Sequence, residues 1–273
     1  MASEGARSGS RIHPSAVIGV EVEIGLGVEI GPFCVLDGHI RIGPRTKLLA
    51  HVTILGDTVI GKDNVLHANV VIGDEPQDIS YRGDPRQVQI GDGNIFREAV
   101  TVNRGSQQGR VTIVGDDNYF MQNSHVAHDC RVGNQTIIAG GALLAGWVEV
   151  GDRALISGNC VVHQFVRIGR LAMMRGLSRT SRDIPPFCIA DETHTVRGIN
   201  LVGLKRAGIE RENIAALRKA FTALFGARRN LRAAIERVKN VGPMSPEVAE
   251  LIEFISASKR GVAFGPRGGF DSE

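Results

Sequence analysis

A large aliphatic side chain recurs at every sixth position along most of the chain. The series runs from Ile12 to Ile72 and, after an interruption, from Val114 to Met174. The polar residues in this register are Asp78, Asp84 and Gln108. A period of six matches neither the 3.6-residue period of an α-helix nor the two-residue period of a strand. It predicts an all-β solenoid, a parallel β-helix of hexapeptide repeats in which three short strands form one triangular coil.

Two further columns keep the same period. Glycine follows the aliphatic residue at many repeats, where we expect it to permit a tight turn. Four places after the aliphatic residue the side chain is mostly small or β-branched, as at Ala16, Val52 and Thr136. Cys34, Cys130 and Cys160 fall in that column, which predicts that they are buried as small hydrophobic side chains.

Three hexapeptides make a coil of 18 residues, so residues 18 apart should stack at about 4.8 Å, one inter-strand spacing. Two segments interrupt the pattern without changing its register, DEPQDISYRGDPRQ (74–87) and RGSQQGR (104–110). We interpret both as loops that leave the coil. In an otherwise regular solenoid such loops are where a functional site is expected.

The six-residue period ends after SRDIPPF. Helical spacing of apolar residues then appears in 210–225, 231–240 and 245–258, the last with Ser245 as N-cap and Pro246 at the first helical position. We predict three parts: a flexible N-terminal tail (1–11), the β-helix (12–190) and a C-terminal helical domain (191–273) that covers the open end of the coil.

Composition narrows the function classes. The chain has 273 residues, 42% hydrophobic and 22% charged, which is typical of a globular protein. It has no apolar run long enough to span a membrane and no secretory signal at its start. A net charge of +3 gives no reason to expect nucleic acid. Four irregularly spaced cysteines suggest neither a disulfide framework nor a zinc site, and we expect a cytoplasmic location.

The segment HVAHDC (125–130) carries the clearest candidate chemistry. Ser124 and Val126 occupy interior columns, so His125 and His128 should face outward or lie at a turn. Gly146 follows His128 by 18 residues and Gln164 follows by 36, which predicts one stacked column. A neutral imidazole can accept a proton from a hydroxyl, and the N–H of a neighbouring glycine can stabilise an oxyanion. Together these groups favour acyl transfer.

Two other interpretations of the histidines remain open. One is an exposed histidine without a role. The other is a metal site, which needs three ligands converging at about 2 Å. His125, His128 and His163 lie in different columns and do not obviously converge within one chain, although a neighbouring subunit could supply partners.

The ordered blocks NSHVAHDCRVGN, LLAGWVEVGD, VVHQFVRIG, DIPPFCIA and GINLVGLKRAGI resemble one family over about residues 12–262. That family is the acyl-carrier-protein:UDP-N-acetylglucosamine O-acyltransferases of lipid A biosynthesis. The resemblance implies left-handed β-helices assembled as a homotrimer, with sites between subunits. It also implies transfer of a 3-hydroxyacyl group from acyl carrier protein to the sugar 3-hydroxyl, the first step of the pathway, without a metal or other cofactor.

The resemblance also implies roles for individual residues. His128 matches the general base, Asp129 its acidic support, and Gly146 the donor of an N–H to the oxyanion. Gly176 matches the position that sets acyl-chain length, where glycine leaves the pocket long. The remaining matches are to substrate-binding residues, namely Asp78, His125, His163, Gln164, Asn200 and Arg206.

Four positions depart from the family pattern: Ser80 stands where lysine is expected, Asn103 and Trp147 where histidine is common, and Ala207 where a second arginine is common. These departures keep open a related acceptor, such as a UDP-sugar with an amine at the 3-position. The hexapeptide pattern is also compatible with a different acyltransferase or acetyltransferase, with a zinc carbonic anhydrase on the same solenoid, and with a non-catalytic scaffold.

A cluster of five arginines precedes the helical region: Arg167, Arg170, Arg175, Arg179 and Arg182. It is interpreted either as a solvated basic face or as a docking surface for the acidic acyl carrier protein, which Lys259, Arg260 and Arg267 could extend.

Overall fold

The computed structural model describes residues 9–83, 87–226, 231–240 and 243–265. The predicted tail up to residue 8, Asp84 in the first loop and Arg267 lie outside these ranges. The described chain forms a left-handed parallel β-helix followed by four helices, which confirms the predicted fold class.

The coil is built from short strands, most of two residues. In chain order they are β1 (Arg11–Ile12), β2 (Val17–Ile18), β3 (Val22–Ile24), β4 (Glu29–Ile30), β5 (Val35–Asp37), β6 (Ile40–Ile42), β7 (Lys47–Leu48), β8 (Thr53–Leu55), β9 (Asp57–Ile60), β10 (Val65–Leu66), β11 (Val71–Asp74), β12 (Gln87–Ile90), β13 (Ile95–Phe96), β14 (Thr101–Asn103), β15 (Val111–Val114), β16 (Tyr119–Phe120), β17 (His125–Val126), β18 (Arg131–Val132), β19 (Ile137–Ile138), β20 (Leu143–Leu144), β21 (Glu149–Val150), β22 (Leu155–Ile156), β23 (Val161–Val162), β24 (Arg167–Ile168), β25 (Met173–Met174), β26 (Arg179–Thr180), β27 (Cys188–Asp191) and β28 (Thr195–Ile199).

The strands form three sheets, which are the three faces of the prism. Face A begins with β1, β4 and β7, face B with β2, β5 and β8, and face C with β3, β6 and β9. Pairing is parallel throughout the coil, and partners are 18 positions apart, as in Arg11 with Glu29. Val65 pairs with Ile95, 12 positions further than one coil, and Ile95 pairs with Tyr119, six further. The two loops therefore insert whole hexapeptides, which is why the register survives them.

The aliphatic column fills the interior of the prism. Leu36, Ile54, Ile72 and Leu144 are fully buried, and Phe96 stacks on Phe120 with ring centroids 4.7 Å apart. The four cysteines are free and buried, as predicted for Cys34, Cys130 and Cys160.

The physical reason that we gave for the glycine column is wrong at most positions. Among these glycines Gly73 has a positive φ; at Gly43 and Gly115 the constraint is instead space. A Cβ at Gly43 would lie 2.4 Å from the carbonyl carbon of Gly61 in the next coil. The left-handed conformation of the corners falls on other residues, including Asp63, Asp117 and Asp129.

Two ladders of side chains run along one corner of the coil. In the buried ladder Asn118 donates from its backbone and side chain to Oδ1 of Asn94, and Asn94 donates likewise to Asn64. In the exposed ladder the N–H of Asp92 donates to Asp116, and the N–H of Asp116 donates to Asn134. Both ladders tie each coil to the next, so they fix the stacking register.

Beyond the coil lie four helices: α1 (Leu201–Arg206), α2 (Arg211–Phe225), α3 (Leu231–Lys239) and α4 (Pro246–Ser256). Ser245 caps α4 through its hydroxyl, which accepts the N–H of Val248. Before the helices, β27 and β28 form an antiparallel pair at the end of face A. After α4 the chain returns to the coil, where Val262 bridges Asp183 and Phe264 bridges Thr195.

Candidate active site

The corner between faces B and C carries the His–Asp pair. Strand β17 ends at Val126, Asp129 adopts a left-handed conformation (φ 61°), and the chain enters face C at Arg131. Nδ1 of His128 lies 2.8 Å from Oδ2 of Asp129. The side chains are 11% and 1% exposed, respectively. A buried carboxylate beside Nδ1 favours the tautomer with hydrogen on Nδ1, which leaves Nε2 unprotonated.

His128 lies at a turn outside the aliphatic interior, as its register predicts, and its side chain is largely buried rather than exposed. The loop 104–110 covers its partner, Asp129. Ser106 donates from its N–H and its hydroxyl to the Asp129 carboxylate, at 3.1 and 2.7 Å. Loop conformation does not follow the six-residue period, so this cover was not predictable from the register.

Gly146 lies directly against the imidazole. One coil along from His128, the N–H of Trp147 donates to the His128 carbonyl, and the N–H of Phe165 donates to that of Gly146. The predicted column of His128, Gly146 and Gln164 is therefore present. A Cβ on Gly146 would lie 2.5 Å from Cε1 and 2.7 Å from Nε2 of His128. Among the described residues, the Gly146 N–H has no hydrogen-bond acceptor.

His125 lies on face B beside this corner. Its Nδ1 is 2.7 Å from the hydroxyl of Thr101 in the preceding coil. Burial, and secondarily the charge of His128, lower the pKa of His125 below its ordinary value. His125 is thus held in its neutral form by its surroundings.

Asp78 belongs to the first loop. It accepts the N–H and the hydroxyl of Ser80 at 2.8 and 2.7 Å. The hydrogen bonds from the Ser80 hydroxyl and N–H, and to a smaller extent the charge of His128, lower the pKa of Asp78 below its ordinary value. Ser80, which stands where a lysine is common, is therefore engaged in holding the Asp78 carboxylate.

Arg104 joins the two loops. It donates to the Gly73 carbonyl (3.1 Å), the Glu75 carboxylate (3.1 Å) and the Tyr81 hydroxyl (3.2 Å). Asn103, at a second departure from the family pattern, donates to the Glu75 carbonyl at 2.7 Å. These contacts fasten the first loop to the base of the second.

The rings of Trp147 and Phe165 stack, with their centroids 5.7 Å apart. The guanidinium of Arg110, at the end of the second loop, lies 4.7 Å from the Trp147 ring centroid. A cation over an indole face is a favourable contact, so Trp147 anchors this end of the loop. Sequence reasoning missed Arg104, Ser106 and Arg110; the polar composition of the loop was the available signal.

His163 and Gln164 follow β23 on the exposed side of the same column. Arg260, which returns from the helical region, places its Nη2 3.4 Å from Nδ1 of His163. The C-terminal segment therefore contributes a cation near this edge of the site.

Three predicted residues lie elsewhere in the chain. Gly176 is at the corner between faces A and B, where a Cβ would meet nothing closer than the Gly158 carbonyl at 3.6 Å. Asn200 is 8% exposed, and its amide caps α1 at Gly203 and donates to the Leu171 carbonyl near the corner between faces C and A. Arg206 is exposed in the last turn of α1, next to the C-cap Ala207. A single chain does not bring these residues to His128.

The five clustered arginines contact the C-terminal part of the chain. Arg167 pairs with Asp183 (3.1 Å), Arg170 with Glu250 (2.8 Å) and Arg175 with Asp191 (2.8 Å). Arg179 donates to the Thr193 hydroxyl, and Arg182 lies over the Phe264 ring. These side chains hold the region after the coil onto its end, which neither interpretation of the cluster foresaw.

Two kinds of feature are absent from the described residues. These residues do not bring together three or more His, Cys, Asp or Glu side chains as a metal ion would require. No helix in the described part of the chain has the length and apolar character needed to span a bilayer.

Models of known protein families match both the β-helix and the C-terminal region of the chain. The family model for UDP-N-acetylglucosamine O-acyltransferase, domain 2, matches residues 183–263. The model for the bacterial transferase hexapeptide matches residues 39–74 and 112–146.

Relatives match over nearly their whole length. An acyl-[acyl-carrier-protein]–UDP-N-acetylglucosamine O-acyltransferase from Thermodesulfovibrio yellowstonii is 45% identical over 93% of this chain and 99% of its own. The structure of the UDP-N-acetylglucosamine acyltransferase from Bacteroides fragilis is 38% identical, with a TM-score of 0.88 over 92% of this chain and 99% of that one. The corresponding enzyme from Moraxella catarrhalis is 34% identical, with the same TM-score and coverage. The chain therefore belongs to the family of UDP-N-acetylglucosamine O-acyltransferases.

Proposed function

We propose that this chain transfers a 3-hydroxyacyl group from acyl carrier protein to the 3-hydroxyl of UDP-N-acetylglucosamine, the first step of lipid A biosynthesis, and that His128 is the general base. The observation that carries this proposal is the geometry at one corner. The imidazole is held by a buried carboxylate at Nδ1 and lies against Gly146 at its Cε1 edge.

The chemistry follows from these positions. Nε2 of His128 accepts the proton of the acceptor hydroxyl while the hydroxyl oxygen attacks the thioester carbonyl. The carbonyl oxygen becomes an oxyanion, which the free N–H of Gly146 stabilises. As the intermediate collapses, the carbon–sulfur bond breaks and the proton passes from His128 to the departing thiolate. Asp129 balances the charge of the imidazolium between the two steps.

The surrounding residues supply the acceptor subsite in this proposal. Asp78 lies on the first loop, His125 on β17, and His163 and Gln164 follow β23 at the exposed edge. His125, whose pKa is lowered, presents a neutral imidazole and serves binding rather than proton transfer. The proposed reaction draws no step from a metal or cofactor beyond the carrier-borne thioester. Stoichiometric zinc in the active protein would contradict it.

The active form is proposed to be a homotrimer. His128, Gly176 and Asn200 are near three different corners of the prism and in different coils, so neighbouring copies must combine them if all three serve one site. Faces A and B have outward columns that suit such packing, with apolar residues that include Ile95, Ile137 and Leu155 on face A and Leu143 and Val161 on face B. Face C carries more charge, as at Arg41, Arg131 and Glu149.

Acyl carrier protein is the proposed donor partner, as in the name of the Thermodesulfovibrio relative. Since the clustered arginines are occupied, exposed cations on the helices are the better candidates for docking: Lys205, Arg211, Arg218, Lys219 and Arg237. We place the reaction in the cytoplasm because the carrier is a cytoplasmic partner and the four cysteines are free thiols.

The test uses purified protein with UDP-N-acetylglucosamine and 3-hydroxyacyl carrier proteins of graded chain length. We expect transfer by the wild type and a loss of about 100-fold or more in His128→Ala. Undiminished transfer in that variant would contradict the assignment of the base. The 3-amino acceptor is run in parallel; a clear preference for it would change the product to an amide while leaving the base in place.

A further inference from the structure

We infer that Ser106 is a positioning residue for the reaction, which acts through Asp129 rather than on the substrate. Ser106 is 8% exposed and comes from the loop 104–110, not from the coil. Its hydroxyl donates to Oδ2 of Asp129 at 2.7 Å, and its N–H lies 3.1 and 3.2 Å from the two carboxylate oxygens. This inference rests on the proposed role of His128.

Asp129 needs these donors because its carboxylate is buried. The side chain is 1% exposed, and a buried anion is tolerated only when hydrogen bonds replace its hydration. Its described donors are Nδ1 of His128 and the two groups of Ser106. Thr112 fixes the backbone below, since its hydroxyl accepts the Asp129 N–H at 2.9 Å.

Oδ2 is the shared atom. It accepts from both the Ser106 hydroxyl and His128 Nδ1, so the serine determines the orientation in which the carboxylate meets the imidazole. Gly146 lies against the Cε1 edge of the ring, where an added Cβ would be 2.5 Å from Cε1, 2.7 Å from Nε2 and 3.1 Å from Nδ1. The ring therefore contacts both a carboxylate that Ser106 orients and a backbone position with no side chain.

The arrangement is not that of a nucleophilic serine. In a Ser–His–Asp triad the serine hydroxyl donates to the imidazole. Here the Ser106 hydroxyl donates to the carboxylate, so no base is available to activate it. The inference predicts no covalent acyl-serine.

The loop that carries Ser106 is anchored on both sides of it. Arg104 binds Gly73 in β11 and Glu75 and Tyr81 in the first loop, and Arg110 lies over Trp147 on the coil. Ser106 is thereby placed over Asp129 before substrate arrives. Trp147, which replaces a histidine common in the family, contributes to this anchoring.

The test compares Ser106→Ala, Ser106→Thr and Asp129→Asn with Gln107→Ala, an exposed neighbour in the same loop, as the matched control. We expect Ser106→Ala to lower kcat about tenfold while KM for both substrates changes less than about twofold. Threonine retains the hydroxyl and should recover kcat to within about threefold of the wild type. Gln107→Ala should behave as the wild type, and thermal unfolding checks that each variant is folded.

The double variant Ser106→Ala/Asp129→Asn separates positioning from a general loosening of the loop. If Ser106 acts through Asp129, adding Ser106→Ala to Asp129→Asn lowers kcat by less than about twofold further. A full tenfold further loss, a rise in KM with unchanged kcat, or a trapped acyl-Ser106 species would overturn the inference. If Asp129→Asn itself retained full activity, the proposed function of the dyad would fail instead.

Discussion

At the scale of single residues, the contact between Gly146 and His128 is the tightest constraint at the proposed site. The ring of His128 occupies the space that any side chain at position 146 would need. Glycine is required here for the approach of another side chain, since Gly146 is not among the glycines with positive φ.

Gly146→Ala should lower kcat roughly 100-fold without unfolding the protein. The new Cβ would meet Cε1 at 2.5 Å and Nε2 at 2.7 Å, so the imidazole must move, and a displacement of about 1 Å at a reacting group has an effect of this size. Steady-state transfer assays together with thermal unfolding measure both quantities. Gly198→Ala, where a Cβ meets nothing within 4 Å, is the control. Equal activity in the two variants would contradict this account of the site.

His125 should make stability depend on pH. Its pKa in the folded state is lowered from 6.5, chiefly by burial and then by the charge of His128, so the unfolded chain binds a proton more readily. His125 therefore contributes to the free energy of unfolding above pH 6.5, and this contribution is lost as the pH falls below that value.

Urea unfolding at pH 7.5 and 5.5 measures this effect. His125→Gln should lose less stability on acidification than the wild type, because the variant has no imidazole to protonate. The exposed His13→Gln should match the wild type. An acid-dependent loss in His125→Gln as large as in the wild type would show that burial at this residue is not the cause.

At the scale of elements, the side-chain ladders explain how strands of two residues keep one register. Each strand offers few backbone hydrogen bonds, and a slip by one residue would turn interior side chains outward. The buried asparagines join successive coils through side chains that fit one register only.

Asn94→Ala should destabilise the coil by about 2–4 kcal/mol. The change leaves the N–H and the amide of Asn118, a residue 1% exposed, without their acceptor, and unsatisfied buried donors have costs of this order. Asp116→Ala removes an acceptor from the exposed ladder, where water can replace it, and should have a much smaller effect. Chemical denaturation compares the two; similar losses would mean that burial does not distinguish the ladders.

The strands that follow the six-residue period were predictable, because the aliphatic residue of each hexapeptide marks which side chain faces the interior. The elements outside it were less accessible. Helices α2, α3 and α4 were expected from apolar spacing, whereas the six-residue α1 and the β27–β28 pair were missed. Such short elements depend on contacts with the end of the coil, as when Asn200 caps α1 and donates to Leu171.

The same distinction applies to the site. The column of His128, Gly146 and Gln164 followed from spacing alone, because stacking converts an 18-residue separation into adjacency. The burial of Asp129 under Ser106 did not follow, since it depends on a loop with no periodicity. The roles given to Asn200 and Gly176 stay predictions, because one chain separates them from His128.

At the scale of the whole molecule, the proposed trimer predicts that a charge introduced on face A changes the particle mass, whereas a charge introduced on face C does not. Ile137→Glu places a charge in the apolar outward column of face A and should reduce the particle mass to that of one chain, since a buried unpaired charge opposes association. The interior of each coil is untouched, so circular dichroism should stay that of the wild type. Transfer activity should fall with the mass.

Gln89→Glu on the outward side of face C is the matched control and should leave the mass unchanged. Sedimentation of the three proteins at equal concentration provides the measurement. A wild type that sediments as a single chain, or an Ile137→Glu variant that remains associated and active, would contradict the proposed assembly.

The buried cysteines have a practical consequence for following the loops in solution. Burial raises the pKa of Cys130 to about 12 and raises that of Cys34, Cys160 and Cys188, so little thiolate forms near neutral pH. A maleimide dye should therefore leave the native protein unlabelled. One cysteine introduced at the exposed Gln107 would then carry the dye alone, and its fluorescence would report when the loop over Asp129 moves, with every natural residue of the core in place.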